Sequence, residues 1–208
     1  AGKKDLGIHT EMFSDAMLDL YEAGVVNGRQ KTLKPGKWIG CFALGTNKLY
    51  KFINDNPMTE LHSSEWVNDR TIIGLNQKVV SINTAMEADL SGQVNAEAIR
   101  RTQYSGMGGF IDFIEGAWRS KGGKSFIAMR SAYKDKEGTL RSRIVNTLYP
   151  GAVVTGNRCQ VEYIVTEYGV ALLKGKSVKE RAKSLIAIAH PDFRDELCFQ
   201  AKQFKYID

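Results

Sequence analysis

Two carboxylates and a run of glycines are the residues in this chain with the clearest chemical potential. Glu11, in LGIHTEM, stands just ahead of a predicted helix. A carboxylate there favours the positive end of the helix dipole. A partly desolvated glutamate can also attack an activated acyl group as a nucleophile. Pattern alone leaves both readings open. Glu167, in VTEYG, closes a predicted strand. Strand ends in α/β sheets often build sites, and turn carboxylates are equally common there. Between the two, residues 105–123 read SGMGGFIDFIEGAWRSKGG and hold six of the 20 glycines. Glycines ahead of a helix let backbone N–H groups approach an anion or an oxyanion, helped by the helix N-terminus. The segment is not an ordinary nucleotide fingerprint. A GxGxxG begun at Gly106 would require glycine at Ile111, and a Walker A motif ending in Gly123-Lys124-Ser125 would require it at Trp118. A tight turn feeding a helix explains the same residues.

Other chemistries find less support. His9, His62 and His190 show no metal-ligand spacing, and no metal is expected. His190, ahead of Pro191, reads as a C-terminal helix cap, and His9 as a packing residue. No GxSxG elbow is present, which removes the usual serine-hydrolase signal. Cys41, Cys159 and Cys198 are odd in number and form no CxxC pair, against both a disulfide framework and structural zinc. A reducing, cytoplasmic setting follows. No apolar run is long enough for a membrane span and the first residues lack a signal core, so no membrane partner is expected. The net charge of +6 suits an anionic partner. Its densest part, Gly28 to Lys37, carries Arg29, Lys31, Lys34 and Lys37 without an acid or an aromatic, and reads as a solvated turn.

The elements that must position these residues alternate in type. Residues 14–23 predict a helix, capped by Ser14, with Met17, Leu18 and Tyr21 at helical spacing and Gly24 at its end. Residues 37–44 predict a buried strand and 46–56 a helix. Further strands are expected over 79–83, 125–129, 152–155 and 162–166, and helices near 95–102, 110–120 and 178–189. Strands alternating with helices predict an α/β domain with a mostly parallel or mixed sheet flanked by helices, with an antiparallel addition between 140 and 167.

Five segments in order, LGIHTEMFSD, VNDRTIIGLNQKVVSINTAMEADLSGQVNAE, SGMGGFIDFIEGAWRSKGGKSFIAM, VEYIVTEYGVALLKG and KERAKSLIAIAHPDFRDEL, resemble the C-terminal domain of the acetyl-CoA hydrolase/transferase family, nearest its 4-hydroxybutyrate CoA-transferase branch. Each motif is weak alone; five in order over nearly the whole chain are specific. The resemblance implies that residues 1–208 form the C-terminal catalytic domain of a CoA-transferase. It implies Glu11 as the nucleophile that forms a glutamyl-CoA thioester in a ping-pong cycle, and Gly109, with Gly108 beside it, as backbone donor to the oxyanion and part of the CoA site. Asn68 in VNDRT would orient the reacting carboxylate, Glu167 would be a second active-site glutamate, and Met86 would lie near CoA. Coenzyme A would enter as substrate. Partners would be acyl-CoA, small carboxylates, an N-terminal domain outside this chain that carries the other CoA loop, and a second copy in a homodimer. The chain alone is expected to be inactive. Three rivals stand beside this reading: hydrolysis at the same site, a non-catalytic α/β binding module, and an RNA-binding domain. The last is ranked behind the others because no aromatic strand suited to base stacking is present, and no nucleic-acid partner is expected.

Overall fold

A computed structural model describes residues 2–208. The chain folds into two units. Unit 1 takes the residues up to Val79 together with Glu115–Gly123, and unit 2 takes Val80–Ile114 and Lys124–Asp208.

In unit 1, β1 (Met12–Phe13), α1 (Asp15–Glu22), β2 (Trp38–Gly40), β3 (Phe42–Ala43), α2 (Asn47–Ile53), β4 (Thr59–Leu61), α3 (Ser64–Val67) and α4 (Arg70–Gly74) follow one another. The chain over 38–43 has parallel partners on both sides: His9 pairs Ile39 and Met12 pairs Phe42 on one, and β4 pairs β2 on the other. The single strand predicted over 37–44 is interrupted at Cys41, where its N–H turns to the Glu11 carbonyl at 2.8 Å. The core gathers Ile8, Phe13, Leu18, Val26, Trp38 and Leu49. Trp38 is fully buried among the rings of Phe13, Tyr21 and Phe52, with centroids 5.1 to 5.9 Å away. Burying each large apolar side chain of this kind contributes about 1.5–3 kcal/mol. Met17 and Tyr21 of α1 pack on this cluster at the spacing the sequence predicts.

Unit 2 contains β5 (Val80–Thr84), β6 (Glu87–Asp89), β7 (Val94–Asn95), β8 (Ala98–Ile99), β9 (Thr102–Gln103), the start of α5 (Phe110–Arg119), β10 (Lys124–Ala128), β11 (Ala132–Lys134), β12 (Leu140–Ser142), β13 (Ile144–Val145), β14 (Tyr163–Thr166), β15 (Gly169–Leu172), α6 (Val178–Ala187) and α7 (Pro191–Gln203). Its main sheet has the order β15-β14-β10-β5. β5, β10 and β14 run parallel and β15 returns antiparallel. The fold is thus the expected mixed α/β type. Ile127, Ile164 and Ala171 are buried on one face, where α6 packs on β15. The opposite face leaves Val80, Ile82, Val170 and Leu172 exposed.

Four expectations are corrected. No helix forms over 95–102. The Asn95 side chain there accepts from the N–H groups of Glu97 and Ala98 and donates to the Ala98 carbonyl, which closes a local turn in competition with helix. β8 and β9 then form a hairpin with Arg100 at φ 56. Residues 152–155 form no strand; beside them Gly156 bridges Val94, and Thr155 Oγ1 accepts from the Ala96 N–H at 3.0 Å. The antiparallel pairs found are β6–β7, β8–β9, β11–β12 and β14–β15, so only part of that pairing falls between 140 and 167. Lastly, Pro191 follows the end of α6 as expected but also opens a further helix, α7, at a position where its missing N–H costs nothing. His190 is accordingly the N-cap of α7, its Nδ1 accepting from the Asp192 N–H, and not a C-terminal cap.

Candidate active site

Glu11 is placed by backbone pairing. The chain bends at this residue, and its carbonyl accepts from Cys41 N–H at 2.8 Å and Phe42 N–H at 3.2 Å. Thr10 N–H donates to the Ile39 carbonyl at 3.0 Å one residue earlier. The half-buried Glu11 carboxylate accepts from Asn68 Nδ2 at 2.6 Å. Asn68 stands in the turn between two short helices. It ends α3, and Asp69 behind it caps α4 by accepting from the N–H groups of Thr71 and Ile72 at 2.7 and 2.8 Å. The structure therefore brings together Glu11 and Asn68, which lie 57 residues apart.

Two more side chains lie beside this pair, Cys41 against Asn68 and His9 against the preceding residue, Val67. Cys41 Sγ lies 3.8 Å from Asn68 Oδ1, so the thiol donates to the amide oxygen while the amide nitrogen serves Glu11. Burial, and then the Glu11 charge, push the Cys41 thiol above its ordinary pKa and keep it protonated for that role. His9 Nε2 lies 2.8 Å from the Val67 carbonyl, and burial lowers its pKa to about 4. Neither contact carries a signal in the sequence: Cys41 is 27 residues from Asn68, and His9 is 58 from Val67.

The basic stretch is a turn with Arg29 and Lys34 exposed, as expected, but Lys31 departs from that reading. Lys31 Nζ donates to the carbonyls of Ile8 and Lys37, both at 2.8 Å, and burial lowers its pKa to about 8. Lys34 and Lys37 both reach Glu60. Hydrogen bonds from His62 and Lys34 hold the Glu60 carboxyl down at about 2. One carboxylate, Glu60, thereby pairs with two of the four basic residues of this stretch.

Gly109, Gly108, Met86 and Glu167 belong to unit 2. Gly108 takes φ 52, the left-handed conformation that favours glycine. Gly109 is buried immediately ahead of α5, and its carbonyl accepts from Phe113 N–H at 3.0 Å. The other glycines of the segment divide differently. In unit 1, a Cβ on Gly116 would stand 2.5 Å from Ile73 Cγ2, so this glycine serves close packing against α4. Glu167 lies in the turn from β14 to β15. It accepts from Ser131 N–H at 2.9 Å and Ser131 Oγ at 2.8 Å. Burial alone would raise its pKa, but hydrogen bonds from its own amide and from Ser131, with the Arg130 charge, outweigh it and hold the carboxyl below its usual value. Met86 lines a cavity of about 710 Å³ together with Tyr133, Arg143 and Tyr149, and its carbonyl accepts from Arg143 at 2.8 Å. The other five predicted residues do not line that cavity. Among the described residues no group of three or more His, Cys, Asp or Glu side chains is placed to hold a metal ion, and no helix is long and apolar enough to cross a membrane.

Residues 45–201 match the family described as Acetyl-CoA hydrolase/transferase C-terminal domain. The chain belongs to this family. It is 52% identical over 202 residues to the 4-hydroxybutyrate coenzyme A transferase of Clostridium kluyveri, covering 97% of this chain and 46% of that protein. It is 51% identical over 205 residues to a succinyl-CoA:cyclohexane-1-carboxylate CoA transferase of Geobacter metallireducens, again covering 46% of the relative and 99% of this chain. Among solved structures, RipA from Yersinia pestis superposes with a TM-score of 0.90 at 44% identity, covering 99% of this chain and 46% of that one. The chain thus spans about half the length of the relatives it matches. Within the acetyl-CoA hydrolase/transferase match lie Asn68, Met86, Gly108, Gly109 and Glu167; Glu11 precedes the matched residues.

Proposed function

We propose that the protein to which this chain contributes is a CoA-transferase that moves CoA between an acyl-CoA, 4-hydroxybutyryl-CoA or acetyl-CoA, and a carboxylate acceptor, with Glu11 as nucleophile. The observation that supports this reading is the 2.6 Å hydrogen bond from Asn68 Nδ2 to Glu11 Oε2. A neutral amide donor aims the carboxylate at an incoming acyl group. Glu11 attacks the thioester carbonyl, the C–S bond breaks, and CoA leaves as thiolate with an acyl-glutamyl anhydride behind it. The thiolate then attacks the glutamyl carbonyl, and the first acid leaves as its carboxylate. The incoming carboxylate repeats the two steps in reverse and departs as the new CoA ester. Each step passes through an oxyanion. Gly109, with Gly108 beside it, is the proposed backbone donor, and one such donor can be worth about 3 kcal/mol. Glu167 is the second acid of the site and Met86 a CoA contact. No metal takes part, and the setting is cytoplasmic. By the same resemblance the second oxyanion donor lies in the N-terminal part of such enzymes and two copies associate, so this chain by itself is expected to show no turnover. Measurable transfer by the chain alone would overturn that part.

The test is mass spectrometry of the complete enzyme after incubation with acetyl-CoA and borohydride, which reduces a glutamyl-CoA thioester to an alcohol. The expected result is a modified Glu11, lost in Glu11→Gln together with turnover. Product analysis with and without acetate separates transfer from hydrolysis. An enzyme that turns over with Glu11 unmodified would remove the reading.

A further inference from the structure

We infer that His9 is a positioning residue that holds Asn68 against Glu11, an inference that rests on the reading of Glu11 as nucleophile. The two segments are joined at adjacent points. Two residues ahead of Glu11, the His9 Nε2 lies 2.8 Å from the carbonyl of Val67. One residue beyond Val67, Asn68 Nδ2 donates to Glu11 Oε2 at 2.6 Å. A carbonyl only accepts, so Nε2 carries the ring proton and Nδ1 is left to accept from Asn76 Nδ2 at 3.3 Å. Both ring nitrogens are therefore engaged by partners that require a neutral ring in one tautomer. The surroundings hold it there. Trp66 lies against His9 with ring centroids 6.0 Å apart and against His62 at 4.6 Å, and Asn76 is buried at 6% exposure. Burial also keeps the ring uncharged down to a pKa of about 4.

Asn68 needs such an anchor. It follows α3, which has only four residues and little helical cooperativity of its own to fix a side chain. Val67 is fully buried, and its carbonyl is the last backbone acceptor before the functional amide. A reacting group displaced by about 1 Å can lose up to about 100-fold in rate.

The experiment uses the complete enzyme with acetyl-CoA and acetate, and expresses rates per folded molecule from the thermal unfolding midpoint and circular dichroism. His9→Leu fills the volume without a donor. His9→Asn keeps an amide that falls short of Val67. His9→Gln restores a donor near the Nε2 position. His9→Leu and His9→Asn are expected to lower kcat about 10- to 100-fold with KM for acetyl-CoA changed less than about 3-fold, while His9→Gln recovers most of the rate. In an Asn68→Ala background His9→Leu should cost less than about 2-fold, because its effect passes through Asn68. Wild-type rates in both His9→Leu and His9→Asn would overturn the role of His9, as would an undiminished loss in the Asn68→Ala background. A wild-type enzyme that turns over without borohydride labelling of Glu11 would overturn the reading beneath and this role with it; that result is distinct because it appears before any substitution is made.

Discussion

His9 is also the residue whose environment has the clearest consequence for pH. Burial, with smaller contributions from the charges of Lys31 and His62, lowers its pKa from 6.5 to about 4, against a raising effect of the Val67 carbonyl. The unfolded chain takes up a proton on this ring near 6.5, and the folded protein does not until about 4. Between those values the unfolded state binds more protons, so stability rises with pH across the window and is lost as pH falls through it. Thermal unfolding midpoints measured across the window should therefore drop towards acid, with a shallower slope in His9→Gln, which has no ring to titrate. Equal slopes in the two proteins would show that other groups govern the acid limb. At this scale the spacing of the residues carried nothing to link Glu11 and Asn68; only the family resemblance set Asn68 beside the reacting carboxylate. Their contact spans 57 residues, and only the parallel pairing of 9–13 with 39–43 and the turn after α3 make it.

Helix ends decide how well the site is held. Asp69 and Ser177 both cap helices, Asp69 through two backbone N–H groups of α4 and Ser177 in a reciprocal box with Glu180 at the start of α6. Removing either cap by substitution with alanine should cost about 1 kcal/mol of stability. The two differ in what they adjoin. Asp69→Ala frees the residue next to Asn68 and should lower turnover of the complete enzyme as well, whereas Ser177→Ala should leave turnover unchanged. Denaturant midpoints measured beside initial rates separate these outcomes, and equal rates in both variants would count against the α4 cap as a support of the site. The same physics explains which elements were legible. α1 has apolar residues at helical spacing, β5, β10 and β14 are short apolar runs bounded by turns, and all four appear close to where the sequence predicts them. The failures at 95–102 and at α7 have local causes: the Asn95 side chain competes with helical hydrogen bonds, and Pro191 starts a helix as readily as it follows one.

The whole molecule presents one feature that no single element explains. On the face of the main sheet opposite α6, Val80 is 58% exposed, Ile82 69%, Val170 58% and Leu172 37%. Between them Phe126 and Tyr163 stack with centroids 4.8 Å apart, in register with Ile82 and Leu172. Contiguous apolar surface of this kind drives association in water. The isolated chain should self-associate at micromolar concentration in light scattering, and Ile82→Lys with Val170→Lys should reduce it without a large change in circular dichroism. A monodisperse monomer of the unaltered chain would contradict this.

Sequence by itself determined the class of fold, the elements with strong periodicity, and the family, because apolar spacing and ordered motifs are local records that need no partner to be read. It also named Glu11, Asn68, Gly109 and Glu167. The tertiary structure alone decided that Asn68 donates to Glu11 at 2.6 Å, that Cys41 and His9 reach the Asn68 turn, that Ser131 grips Glu167, and that Lys31 is a half-buried clamp within a basic stretch. These are contacts between segments distant along the chain. Their geometry comes from strand register and helix termini, which no spacing along the sequence encodes.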